Sequence, residues 1–113
     1  MLEKLRNMDQ QKSIEYNDRI ITRLKGIYDP EIPVNIYDLG LVYDIHVDDQ
    51  MVAHILMTLT APNCPVAESL PEEVKMKVGS IEGLKGAEVE ITFDPPWDQD
   101  MMSEEAQLDL GFL

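Results

Sequence analysis

Two runs of alternating side chains constrain this chain more than any other feature. Leu41, Tyr43, Ile45 and Val47 alternate with Val42, Asp44, His46 and Asp48, the period of two that marks a half-buried strand. A second strand-like run extends from Met51 to Thr60. The intervening Asp48-Asp49-Gln50 is a short turn, so the two runs read as an antiparallel hairpin. Ala61-Pro62-Asn63-Cys64-Pro65 then breaks the second strand.

Helical patterns flank the hairpin. Between Ser13 and Tyr28 the residues Ile20, Ile21, Leu24, Ile27 and Tyr28 fall on one helical face, with Ser13 or Asn17 available as a cap and Asp29-Pro30 as the stop. From Pro65 to Gly79, Val66, Leu70, Val74 and Val78 form a stripe spaced by four. Pro71 allows either a bent helix starting at Pro65, which is preferred, or a start near Ser69 with Pro71 in the first turn. Ala87 to Phe93 alternates again, giving a third strand, and Ser103-Glu104-Glu105 opens a short last helix. The order α-β-β-α-β-α predicts a two-layer α+β domain with helices packed on a small mixed three-stranded sheet. Residues 1–12 are expected to form a flexible N-terminal segment and 13–113 a single domain.

Charge and cysteine usage narrow the function. The 113 residues carry 9 Lys+Arg against 22 Asp+Glu, a formal net charge of −13. Such a chain is repelled by phosphate backbones and anionic lipid, so neither nucleic acid nor a membrane is expected as a partner. The start MLEKLRNMDQ lacks the apolar core of a signal peptide and no run is long enough to span a bilayer, so a soluble cytoplasmic protein is expected. Residues 26 to 74 contain no Lys or Arg but nine carboxylates, and six more follow from Asp94 onward. That asymmetry suits either a solvated face or a surface that docks a basic partner. A single Cys64 excludes an intrachain disulfide framework.

Cys64 is the most informative residue. It lies in TLTAPNCPV, after a strand and before a predicted helix whose free amides and dipole favour a thiolate. Pro62 and Pro65 stiffen the loop around it. A small buried hydrophobe is the structural alternative. A cysteine hydrolase would need a histidine base, and both His46 and His54 lie in strands with no diagnostic spacing. Asp29, Glu31 and Asp38 belong to the loop between the first helix and first strand, where they could bring oxygen atoms to the thiol or simply organise turns. Thr58 and Thr60 share a face approaching Cys64 and could donate hydroxyl protons. Trp97 is expected to pack against the domain or a partner.

Three strings, YDPEIPVNIYDLGLVYDI (Tyr28 to Ile45), MTLTAPNCPVAE (Met57 to Glu68) and FDPPWDQDMMSEEAQLDLGF (Phe93 to Phe112), resemble the SufT and PaaD-like iron-sulfur cluster maturation family, which includes the cytosolic iron-sulfur targeting adaptors. The resemblance runs from about Ser13 to the C-terminus. It places the family's T-x-T-x-P-x-C-P motif on Cys64 and Pro65, its DPE-I-P motif on Asp29, Pro30, Glu31 and Pro33, and its DLGLV motif on Asp38 to Val42. It implies an iron-sulfur-assembly-domain-like fold of the stand-alone bacterial type, without the cysteine-rich segment of the PaaD branch or the N-terminal extension of the eukaryotic adaptors.

The function so implied is that of a non-enzymatic accessory factor in cluster assembly or delivery. Cys64 would contact iron or a transient iron-sulfur cluster, supported by Asp29, Glu31, Asp38, Thr58, Thr60 and Pro65. Partners would be a scaffold or P-loop carrier and client apoproteins. One thiolate cannot hold a cluster that normally takes four, so a homodimer, a partner or a small thiol would complete any site. The alternatives are a metal-free interaction adaptor, or a thiol-dependent enzyme linked to aromatic ring hydroxylation.

Overall fold

The period-two alternation of the hairpin reappears directly as burial. The computed structural model describes residues 15–29, 32–60 and 69–112, and places β1 at Val42–Val47 and β2 at Val52–Met57. Along β2, Ala53, Ile55 and Met57 are buried while Val52, His54 and Leu56 are half-buried. The strands pair antiparallel, with Ile45 opposite Ile55 and His46 opposite His54. One expectation fails in β1. The register shifts between Val42 and Asp44, so Val42, opposite the buried Met57, packs on the core in place of Tyr43. A bulge of this kind adds one residue to one strand and resets the alternation beyond it.

The first helix, α1, spans residues 15–24 and buries Ile20 and Leu24. It ends earlier than expected, and Asn17 lies inside it instead of capping it; Ser13 falls outside the described residues. Gly26 N–H bonds to Arg23 O at 3.1 Å and Ile27 N–H to Leu24 O at 3.0 Å, tightening the last turn. The chain then exchanges helical bonds for a bridge between Tyr28 and Asn35, with Ile36 N–H donating to Ile27 O at 2.8 Å. Tyr28 is consequently exposed, whereas Ile27 stays buried.

The next helix, α2, is described over Ser69–Gly79, with Leu70, Val74 and Val78 buried along one stripe. Pro71 is its third described residue; the preferred start at Pro65 lies outside the described residues. β3, Gly86–Ile91, pairs parallel to β2, giving the mixed sheet order β1-β2-β3. It stops two residues before Phe93, which is exposed. A 3-10 turn at Gln99–Met101 precedes α3, Glu104–Asp109, whose Ser103 cap accepts a hydrogen bond from Ala106 N–H at 3.1 Å. The helices α1 and α2 and the loop after α1 cover one sheet face: Ile20, Leu24, Ile36, Val74 and Val78 join Val47, Ala53, Ile55, Met57 and Ala87 in one buried cluster. Full burial of a Leu or Ile contributes about 1.5–3 kcal/mol, so this face supplies most of the driving force. No helix among the described residues is long and apolar enough to cross a membrane.

The opposite sheet face is polar. His46 and His54 stack with ring centroids 4.7 Å apart and planes inclined by 7°. His46 approaches Asp44 at 3.4 Å and His54 Nε2 lies 2.8 Å from Asp48 Oδ2. The His54 hydrogen bond, followed by amide bonds from Val52 and Gln50 in the hairpin turn, holds the Asp48 carboxyl below its ordinary value. A depressed carboxylate stabilises the fold above the unfolded-state pKa near 3.8, and that contribution is lost as pH falls through the lower folded-state value. Asp48→Asn is therefore expected to lower the urea midpoint at neutral pH, with its deficit against wild type shrinking as the solution is acidified below 3.8. A deficit that is constant with pH would contradict this account.

Candidate functional site

The site is assembled where the loop after α1 meets the end of β2. The Tyr28–Asn35 bridge closes the base of the segment carrying Asp29, which is 5% exposed. Glu31 lies outside the described residues. A tight turn follows, with Leu39 N–H bonded to Asn35 O at 3.0 Å and Gly40 N–H to Tyr37 O at 3.1 Å. Asn35 organises it twice over: its Oδ1 accepts from Asp38 N–H at 2.9 Å and its Nδ2 donates to Asp38 Oδ2 at 2.8 Å. The Asp38 carboxylate is thus engaged in holding the turn, the structural alternative raised for it. Residue Asn35 was not singled out from sequence, although an Asn three residues before an Asp is a recognisable turn pattern.

Beyond the turn, Thr58 N–H donates to Leu41 O at 2.8 Å, extending the β1–β2 ladder and joining the DLGLV segment to the TLT segment. Thr58 itself is fully buried. Its Oγ1 has no hydrogen-bond partner, the one such buried side-chain atom among the described residues. An unmade bond at a buried hydroxyl costs about 1–3 kcal/mol. Thr60 follows it, half-buried. Cys64 and Pro65 lie outside the described residues. The structure therefore joins Leu41 to Thr58 through a backbone bond, sets Asp38 in the turn just before Leu41 and buries Asp29, and it does not test the meeting of any of these with Cys64.

The C-terminal segment braces this arrangement from the other side. Ser103 N–H donates to Asp38 O at 2.8 Å, and the Trp97 indole N–H donates to Leu39 O at 2.7 Å, so Trp97 packs against the domain as expected. Gly40, with φ +82°, lies directly against the backbone of Met101. Both histidines sit on the polar sheet face, paired with Asp44, Asp48 and each other, as ordinary strand residues. Among the described residues no group of three His, Cys, Asp or Glu side chains is arranged to hold a metal ion.

Comparison with known proteins agrees with this layout. Residues 17–91 match the model of a family described as iron-sulfur cluster assembly protein. The chain is 52% identical over 100 residues to an Fe-S protein maturation auxiliary factor of Porphyromonas gingivalis, covering 88% of this chain and 95% of that protein. It is 41% identical over 85 residues to the Fe-S protein maturation auxiliary factor SufT of Staphylococcus aureus, covering 75% and 97% respectively. A crystal structure of a domain of unknown function, DUF59, from Bacillus anthracis superposes with a TM-score of 0.85 at 31% identity, covering 92% of this chain and 99% of that one. The match through residues 17–91 and the 52% identity over nearly the whole of the Porphyromonas gingivalis protein, with the α-β-β-α-β-α order and mixed sheet in agreement, establish that the chain belongs to the iron-sulfur cluster assembly protein family.

Proposed function

We propose that this protein is an accessory factor in iron-sulfur protein maturation, in which Cys64 makes transient contact with iron or a cluster that is passed to client apoproteins. The role is one of handling cargo and not of catalysing a reaction on a small molecule. The observation that carries this reading is the buried, unpartnered Thr58 hydroxyl on the segment leading into the Cys64 motif, in a chain of this family. A hydroxyl held dry in this way can donate to a thiolate or to a cargo sulfide without competing with water. Asp29, Glu31, Thr60 and Pro65 complete the proposed supporting set, and Asp38 supports it by fixing the turn beside Leu41. A cluster takes about four thiolates, and this chain has one cysteine, so a scaffold, a P-loop carrier, a second copy or a small thiol supplies the remainder.

The test is anaerobic incubation with ferrous iron and sulfide, with and without a P-loop carrier, followed by iron analysis and visible absorption. Wild type is expected to acquire iron and a sulfide-dependent chromophore, and Cys64→Ser to lose both. Absence of any Cys64-dependent chromophore in either condition would overturn direct cargo contact and leave a metal-free adaptor. Thiol alkylation against pH gives a second check: activation requires a Cys64 midpoint below the ordinary value near 8.5.

A further inference from the structure

The C-terminal segment and the end of the DPE-I-P loop build a second surface together. Ile32, Pro33, Trp97, Met102, Leu110 and Phe112 line an open groove of about 430 Å³, with Gln99 as the polar residue among them. Both of its ends are hydrogen-bonded to the fold. The Trp97 ring is pinned by its bond to Leu39 O. Phe112 is held by the end of α3, where Gly111 takes φ +81°, Gly111 N–H donates to Leu108 O at 3.1 Å and Phe112 N–H to Gln107 O at 2.7 Å. This left-handed closure ties the Phe112 backbone to α3, yet it leaves the residue 49% exposed to water. An exposed aromatic lining an apolar groove is poised to bury area on docking.

Charge identifies what docks. From Asp94 to Phe112 the chain carries Asp94, Asp98, Asp100, Glu104, Glu105 and Asp109 and no Lys or Arg. Asp98, Asp100 and Asp109 are exposed, and each adjoins a residue of the groove lining in the chain. We infer that this groove takes a basic peptide segment of a partner protein, with apolar side chains seated on Trp97 and Phe112 and flanking Lys or Arg drawn to the exposed carboxylates of the same acidic segment. An acidic segment would be repelled by those carboxylates, and a purely polar basic one would leave the apolar floor unfilled. The inference deepens the proposed docking of carriers and clients, and it makes no use of Cys64.

Trp97 is the single tryptophan, so its fluorescence reports on the groove alone. The peptide KKLFKLLKK, titrated into the full chain without iron, is expected to shift Trp97 emission saturably. Binding should weaken about tenfold when salt is raised from roughly 0.05 M to roughly 0.5 M. It should fall at least about tenfold in Phe112→Ser, and several-fold in the double variant Asp100→Asn with Asp109→Asn. These side chains are solvent-exposed, and unchanged thermal melting would verify that the variants fold. The peptides KKSSKSSKK and EELFELLEE are expected not to bind. Equal binding by either control, or no response to KKLFKLLKK, would overturn the inference. Sedimentation showing self-association that itself perturbs Trp97 would overturn it in favour of a second copy. Because no iron is present, failure here leaves the Cys64 reading to its own test.

Discussion

Gly40→Ala is expected to lower the stability of this protein by about 3 kcal/mol, read as a drop in the urea midpoint with an unchanged slope. Two costs coincide at this position. Gly40 has φ +82°, where an L side chain is strained, and a Cβ placed there would collide with the Met101 carbonyl, which is backbone and has no rotamer to change. Relief would require moving the Gln99–Met101 turn, and with it the Ser103 amide that caps the Asp38 carbonyl. Against a total stability of about 5–15 kcal/mol for a typical domain, such a loss removes roughly a fifth to three fifths of the whole. Gly86→Ala is the matched control: an added Cβ there meets nothing within 4 Å, and φ is not positive, so its effect is expected within about 0.5 kcal/mol. Equal midpoints for the two variants would refute the close approach of the turn to the C-terminal segment.

Thr58→Val is expected to move stability and function in opposite directions. The substitution replaces a fully buried hydroxyl that has no partner by a methyl group of nearly the same size. Folding should gain about 1 kcal/mol, because no hydrogen bond is lost and a desolvated polar atom is removed. Under the proposed function, the Cys64-dependent chromophore formed with iron and sulfide should decline at the same time. Thr58→Ser, which keeps the hydroxyl, should restore it while costing stability through the lost methyl. A Thr58→Val protein that is less stable than wild type would show that the hydroxyl is bonded in solution, and unimpaired iron acquisition would remove Thr58 from the site.

Much of the fold is legible because it is local. The hairpin follows from two period-two runs and a short turn, and the α2 stripe from apolar residues spaced by four. What escaped depends on partners distant in the chain. The bulge that exchanges Tyr43 for Val42 is set by β2, and the exposure of Tyr28 by the bridge that Asn35 makes to it. The candidate site divides in the same way. Its motif residues could be named because the strings resemble a known family, and their chemistry followed from residue type. That Asn35 occupies the Asp38 carboxylate, or that the Thr58 hydroxyl is enclosed without a bond, depends on a folded environment that no spacing encodes. The groove was still less accessible, since it is made from residues 32–33, 97–102 and 110–112 together.

The parallel pairing of β2 with β3 gives the molecule two unlike poles. Both strands deliver their carboxyl ends to the same side, where Thr58 and Thr92 emerge. The Asp48–Met51 turn lies at the other end of β2, about 20 Å away along six strand residues. Asp49 and Gln50 at its tip are exposed. That turn is a natural point of attachment: a fluorophore, a surface tether or a spliced affinity tag placed there would leave the pole of the proposed site facing outward for whatever approaches it.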